Sequence, residues 1–237
     1  MKNIGGQNRV YPLYENDLER INYEAEHCAP AFIARTEAAF HRDIRDIAEQ
    51  IASSPELCKV IMLAGPSSSG KTTTAHILLD ALRECGIDSQ VISLDNFYKG
   101  ESDAPLLENG RHDYESVEAL NVPLLERCLL NLMETNTCEM PVFDFEHHIP
   151  HPYTKRIRLG EREIVVVEGI HALNPAISRH LPEDGVLKIY ISVKQGLEAQ
   201  GKILLSPNGV RLVRRLVRDY LFRNNPPGRT LDMWSTV

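Results

Sequence analysis

The chain has 237 residues, 43% of them hydrophobic and 25% charged, with a net charge of −7. That length and mix describe one large globular domain or two small ones, and the acidic balance argues against broad nucleic-acid binding. The five scattered cysteines, odd in number and outside any metal-ligand spacing, read as reduced thiols of a cytoplasmic protein; Met1–Gly6 lacks the apolar core of a leader, and no apolar run is long enough to span a bilayer.

Residues 1–28 are polar and irregular. A helix is predicted from about Pro30 to Ser53, because Phe40, Ile44, Ile47 and Ile51 fall at helical spacing on one face. Residues 1–54 are therefore set apart as a helical N-terminal extension, and residues 55–237 as the main domain. In that domain Val60–Ala64 is a continuous apolar run, the pattern of a strand buried on both faces, and Thr73–Leu82 reads as a helix that stops at Cys85-Gly86. Ser89–Leu94 reads as a second strand, and the polar stretch from Lys99 to His112 is too long to be mere connection. A helix is predicted over Glu115–Glu134. Thr154–Leu159 and Glu163–Val167 read as two strands joined by a turn at Gly160, Leu187–Val193 as a further strand, and Val210–Arg223 as a strongly basic helix. Strands alternating with helices predict an α/β fold, a mostly parallel sheet with helices on both faces.

Residues 65–72 read Gly65-Pro66-Ser67-Ser68-Ser69-Gly70-Lys71-Thr72, the G-x-x-x-x-G-K-[ST] spacing of a phosphate-binding P-loop. Small residues let backbone N–H groups close around phosphate oxygens, and Lys71 adds a point charge for the terminal phosphates. Thr72 offers a hydroxyl to Mg²⁺, and the helix that follows directs its positive end at the same anion. Strand, loop and helix stand in the order the motif requires, so the fold class sharpens to a P-loop NTPase fold.

In open parallel sheets ligands gather at the carboxyl ends of strands. Asp95 follows the second strand and Glu168 ends the strand at Val167, so two carboxylates are expected at the edge that holds the phosphates. Asp95 is assigned the proton of an attacking hydroxyl and Glu168 the Mg²⁺ ion. Arg211, Arg214, Arg215 and Arg218 share one helix face, interrupted in charge only by Asp219. Repulsion along such a stripe disfavours the helix unless an anion compensates it, which a lid closing over transferring phosphates would supply. Pro141–His148 sets aromatic rings beside a histidine and a carboxylate, the materials for holding a planar ring and equally those of core packing; the sequence leaves both open. The spacing of His147, His148, His151 and His171 matches no zinc pattern.

These pieces, in this order, resemble the uridine kinase and phosphoribulokinase family of P-loop kinases over roughly residues 58–235. The resemblance rests on Gly65–Thr72, Ser93-Leu94-Asp95-Asn96-Phe97-Tyr98, His112-Asp113-Tyr114, Pro141–His148, Val166-Val167-Glu168-Gly169 and Arg211–Arg223. Tyr220–Asn225 and Met233-Trp234-Ser235 resemble a divergent bacterial branch of uridine kinase-like proteins. The resemblance implies ATP and Mg²⁺ as cofactors, with Gly65, Ser67, Ser68, Ser69, Gly70, Lys71, Thr72 and Thr73 around the ATP phosphates. It implies Asp95, Lys71, Arg215 and Arg218 as catalytic residues, and Thr72 and Glu168 at Mg²⁺. Asp113 is implied to grip the ribose hydroxyls, Tyr98, Phe143 and His148 to shape the base pocket, and Arg215 to reach ribose and phosphates. The implied reaction moves the γ-phosphoryl group of ATP to the 5′-hydroxyl of uridine or cytidine. The partner is then a small nucleoside, with no nucleic acid and no membrane, and self-association is left open.

Three positions depart from the pattern: uridine kinases usually carry tyrosine at Phe143, arginine at Pro150 and a further lid arginine at Asn225. The first two keep open a sugar-phosphate acceptor of the phosphoribulokinase type. The family's chains also run on past the position of Val237, so the resemblance implies that the family's C-terminal end, which helps hold the adenine, is lacking. That expectation, with Asn225, keeps open a nucleotide-binding regulator without transfer activity.

Overall fold

Val60, Met62 and Ala64 alternate with Ile61 and Leu63 along the strand β1 (Cys58–Ala64), and all five are buried. Successive side chains of a strand point to opposite faces, so β1 is covered on both. The computed structural model describes residues 15–54, 58–108, 110, 112–144 and 147–234. The elements after β1 are α2 (Lys71–Glu84), β2 (Ser89–Ser93), α3 (Val122–Thr135), β3 (Thr137–Asp144), β4 (Ile149–Arg158), β5 (Ile164–Glu168), α4 (Pro175–Ser178) and β6 (Gly185–Tyr190). A helix α1 (Leu18–Ala52) precedes β1, and β7 (Leu197–Ala199), β8 (Lys202–Leu205), α5 (Pro207–Phe222) and α6 (Pro227–Trp234) complete the chain.

Two compact units are formed. One holds the described residues up to Ile47, with Pro66–Gly70 and the residues from Ile191 on; the other holds Ala48–Gly65 and Lys71–Tyr190. The second unit contains a four-stranded sheet in the order β2-β5-β1-β6, parallel throughout. One face packs on α3, where Leu125, Cys128, Leu129 and Leu132 join Val60, Met62, Val165 and Val167 in a single core. On the opposite face α2 packs on β1, β2 and β5, burying Ala75, Leu78 and Leu82. The mostly parallel sheet with helices on both faces is thus observed. α2 stops as its sequence requires, with the Ile87 N–H donating to the Leu82 carbonyl and the Gly86 N–H to that of Arg83, both at 2.9 Å.

Four expectations change. Residues 18–28 are helical, as the first limb of α1, which kinks at Cys28 (φ −149°) two residues before Pro30; proline clashes with the carbonyl of the preceding turn. The helix expected from Glu115 begins at Val122, where the Asn121 side chain accepts the Leu124 N–H at 3.2 Å and Pro123 occupies the first turn. Thr154–Leu159 and Glu163–Val167 do not pair with each other: β4 runs antiparallel to β3, and β5 enters the parallel sheet between β2 and β1. The strand expected over Leu187–Val193 is shifted to Gly185–Tyr190.

In the first unit β7 and β8 pair antiparallel, the Glu198 N–H reaches the Asn16 carbonyl at 2.9 Å, and α5 packs on α6. Ser206 caps α5 by accepting the Gly209 N–H at 3.1 Å. All five cysteines are free thiols. Among the described residues no helix is long and apolar enough to cross a membrane.

Candidate active site

The carboxyl ends of β2 and β5 lie side by side, with Ser93 in register with Glu168, and Glu168 in turn with Leu63 of β1. Ser93 Oγ donates to Glu168 Oε1 at 3.0 Å and accepts the Asp95 N–H at 3.3 Å. The same hydroxyl caps the 3₁₀ turn Leu94–Phe97, which carries Asp95 outward from the sheet edge, where it is exposed. Gly169 makes the approach possible: a Cβ there would lie 2.7 Å from Leu94 Cβ. Glu168 is only 7% exposed. Burial raises its carboxyl above the usual range; the Ser93 hydrogen bond opposes this, the charge of Asp95 adds to it, and the charges of Lys71 and His76 oppose it. The sequence-predicted Asp95, Glu168 and Lys71 are therefore near neighbours in charge.

A ring cluster flanks this edge. Tyr98 follows the 3₁₀ turn, and its hydroxyl donates to the Tyr114 carbonyl at 3.0 Å. Its ring lies 5.8 Å from that of Phe143 and 5.9 Å, edge-on, from that of Tyr114. The Tyr114 ring stacks on His148 at 6.0 Å. Burial, followed by the charges of Asp95, Glu115 and Asp113, raises the Tyr98 hydroxyl far above its ordinary range. Asp113 Oδ1 accepts the Glu115 N–H at 3.1 Å, holding a tight turn. The loop after Tyr98 is tied to the β3–β4 turn, where the Glu101 N–H donates to the His148 carbonyl at 3.2 Å. Pro150 stands beside Gly100, its Cδ 3.5 Å from where a Cβ would be. Tyr98, Asp113, Phe143 and His148 thus gather on one side of the unit, together with Tyr114, for which no role was expected. Phe145 and Glu146 of the Pro141–His148 stretch lie outside the described residues.

The phosphate loop leaves β1 at Ala64 and enters α2 at Lys71. Its middle, Pro66–Gly70, is tightly turned, with the Ser69 N–H on the Pro66 carbonyl at 3.2 Å and positive φ at Ser68 (59°) and Gly70 (102°). Left-handed backbone at a serine is unusual outside a functional turn. The hydroxyls of Ser68 and Ser69 are buried without a hydrogen-bond partner. Thr72 and Thr73 are exposed on the first turn of α2, and Lys71 is half-buried.

Three arginines of α5 converge on the Pro66–Gly70 segment. Arg211 Nε donates to the Ser67 carbonyl at 3.0 Å and Arg215 Nη1 to Ser67 Oγ at 3.2 Å. Arg214 Nη2 stands 3.4 Å from where a Cβ on Gly70 would be. Arg218 turns instead to Asp219, donating to Oδ1 from Nε and Nη2 at 2.9 and 2.8 Å. Asp219 Oδ2 faces Arg215 Nε at 3.4 Å and accepts the Thr230 hydroxyl at 3.2 Å. The anion that compensates the arginine stripe is thus already present as Asp219, 3% exposed. Its carboxyl is pushed up by burial and pulled down by Arg218, Arg215 and Thr230, with a net lowering.

The donor set suits Mg²⁺. Glu168 and Thr72 offer hard oxygen ligands, and among the described residues no group of three or more His, Cys, Asp or Glu side chains could hold a metal alone.

A family model described as phosphoribulokinase / uridine kinase family matches residues 60–232. The uridine kinase of Clostridium botulinum (strain Okra / Type B1) is 32% identical over 173 residues, which span 73% of this chain and 72% of that protein. The uridine kinase of Saccharomyces cerevisiae is 34% identical over 175 residues, 73% of this chain and 30% of that protein. A solved structure described as a possible uridine kinase from Bacillus stearothermophilus superposes with a TM-score of 0.51 at 18% identity, over 81% of this chain and 90% of that one, a likeness of fold.

Proposed function

The chain belongs to the phosphoribulokinase / uridine kinase family of phosphotransferases, and from that premise we propose that it moves the γ-phosphoryl group of ATP to the 5′-hydroxyl of a pyrimidine nucleoside. The observation that carries this reading is Ser93, which binds Glu168 through its hydroxyl proton and the Asp95 amide through its oxygen. One hydroxyl thereby holds the Glu168 carboxylate and the backbone of the turn that carries Asp95.

In this reading the backbone of Gly65–Gly70 and the Lys71 ammonium hold the donor phosphates, with Thr73 at the first turn of α2. Asp95 accepts the proton of the acceptor hydroxyl as its oxygen bonds to the γ-phosphorus, and the bond to the β-phosphate oxygen breaks with its electrons to ADP. Arg211, Arg214 and Arg215 stabilise the charge on the transferring group, while Arg218 holds Asp219. Thr72 and Glu168 hold Mg²⁺, which neutralises phosphate charge when bound. Asp113 binds the ribose hydroxyls, and Tyr98, Phe143 and His148, with Tyr114, form the wall for the base.

The test is ADP formation by the full chain with ATP, Mg²⁺ and a panel of acceptors. Uridine or cytidine should give turnover. Phe143 lacks a hydroxyl and Pro150 a charge, which favours including ribulose 5-phosphate; turnover with it alone would move the acceptor to a sugar phosphate. ATP binding with no acceptor-dependent turnover would instead make the protein a nucleotide-binding regulator.

A further inference from the structure

Each arginine that hydrogen-bonds Ser67 is braced from behind by a different residue. Behind Arg215 stands Asp219, whose Oδ2 lies 3.4 Å from its Nε while its Nη1 reaches Ser67 Oγ at 3.2 Å. Behind Arg211 stands Trp234, whose ring centroid lies 5.3 Å from the guanidinium carbon, while Nε reaches the Ser67 carbonyl at 3.0 Å. Both braces depend on α6. Trp234 is its last residue, and Thr230, 1% exposed, donates to Asp219 Oδ2 at 3.2 Å. Arg215 is 7% exposed and Arg211 8%, so neither guanidinium is a mobile surface group.

We propose that Asp219 and Trp234 are positioning residues, and that α6 is the clip through which they hold Arg215 and Arg211 aimed at the phosphate loop before nucleotide arrives. This rests on the reading that Gly65–Thr72 binds the donor phosphates. A free arginine side chain loses rotamer freedom when it grips a phosphate. Guanidinium groups ordered in advance avoid that loss and stabilise developing charge without reorganisation. The two braces act by different means. Asp219 supplies a fixed charge at the end of Arg215 remote from Ser67, and Trp234 a ring face that a guanidinium prefers to water. Neither touches the reacting atoms. Their effect is expected in the rate more than in nucleotide affinity, because misplaced transition-state groups cost rate.

The experiment joins arginine side-chain NMR of the full chain to steady-state kinetics. In the nucleotide-free wild type the Nε–H signals of Arg211 and Arg215, assigned through R211K and R215K, should be sharp and slow to exchange. D219N should broaden the Arg215 signal and W234A the Arg211 signal. In each variant kcat should fall about 10–100-fold, while KM for ATP stays within about threefold. W234F, which keeps a ring, should restore both signal and rate, as a merely space-filling role for Trp234 would not require. Sharp signals in D219N and W234A, or lost signals with unchanged kcat, overturn the proposal. A wild type that forms no ADP with any acceptor defeats the proposed function instead, and the clip is then decided by the guanidinium signals alone.

Discussion

Ser93 and Glu168 sit opposite each other in adjacent parallel strands, and the serine hydroxyl donates to the carboxylate at 3.0 Å. A buried carboxylate at a sheet edge has few ways to keep one rotamer, and here a single hydrogen bond does so while its oxygen also takes the Asp95 amide. Hydrogen bonds to charged groups are worth about 1.5–3 kcal/mol. Ser93→Ala should therefore loosen the Glu168 carboxylate and the turn that carries Asp95 together. The expected outcome is a rise of about 10–100-fold in the Mg²⁺ concentration for half-maximal ADP formation, the usual cost of losing a residue that orients a ligand. A magnesium titration of the variant with unchanged midpoint and rate would show that Ser93 is only a turn cap.

Asp95 is exposed on the short 3₁₀ turn that follows β2. Asp95→Asn preserves shape and removes the proton acceptor. ATP affinity, measured by calorimetry, should be unchanged, and the rate should fall about 10²–10⁴-fold. Equal losses in affinity and rate would remove Asp95 from the role of base.

The close approach at Gly169 makes a stability prediction. A methyl group there would stand 2.7 Å from Leu94 Cβ and 2.8 Å from its Cγ and Cδ1. Leu94 is 2% exposed and cannot swing into solvent. Gly169→Ala should cost roughly 1–3 kcal/mol in chemical denaturation, the range for overpacking a tight core. Combining it with Leu94→Ala should cost less than the sum of the two single changes, because truncating Leu94 removes its Cγ and Cδ1, two of the three atoms that the new methyl group meets. Strict additivity would place the strain elsewhere.

The parallel sheet was legible because its buried strands are continuous apolar runs: Val60–Ala64 and Ile164–Val167 have no exposed face to dilute the pattern. The β3–β4 ribbon was not. The second half of β4 was read as the strand Thr154–Leu159, but its first half carries two prolines and no buried residue, and β3 was not read as a strand, so the pairing of the two could not be seen. β7 and β8, of three and four residues, are too short to carry one. Within the candidate site the carboxylates could be read from their place after apolar strands. Ser93 could not, since a serine at a strand end has no signature apart from the partners it meets. Asp219 shows the limit most clearly. Along the sequence it is a gap in a positive stripe, and only the turn geometry of α5, with α6 packed on it, makes it the buried counter-ion of Arg215 and Arg218.

That buried counter-ion sets a pH dependence. Burial alone would raise the Asp219 carboxyl, but the donated hydrogen bonds of Arg218, the charges of Arg218 and Arg215, and the Thr230 hydroxyl bring it below its ordinary value. A carboxyl lowered in the folded state binds its proton more weakly there than in the unfolded chain. Its contribution is complete above the unfolded value and is lost as pH falls through the folded one. Thermal melting followed across the acid range should therefore show wild type well above D219N at neutral pH. The two curves should converge once pH drops beneath the ordinary aspartate range. The other carboxylates titrate in both proteins and leave the difference between the curves to Asp219. Curves that stay parallel down to the acid limit would mean that the Asp219 charge does not hold α6 against α5, and that Thr230 bonds a group with no electrostatic share in the fold.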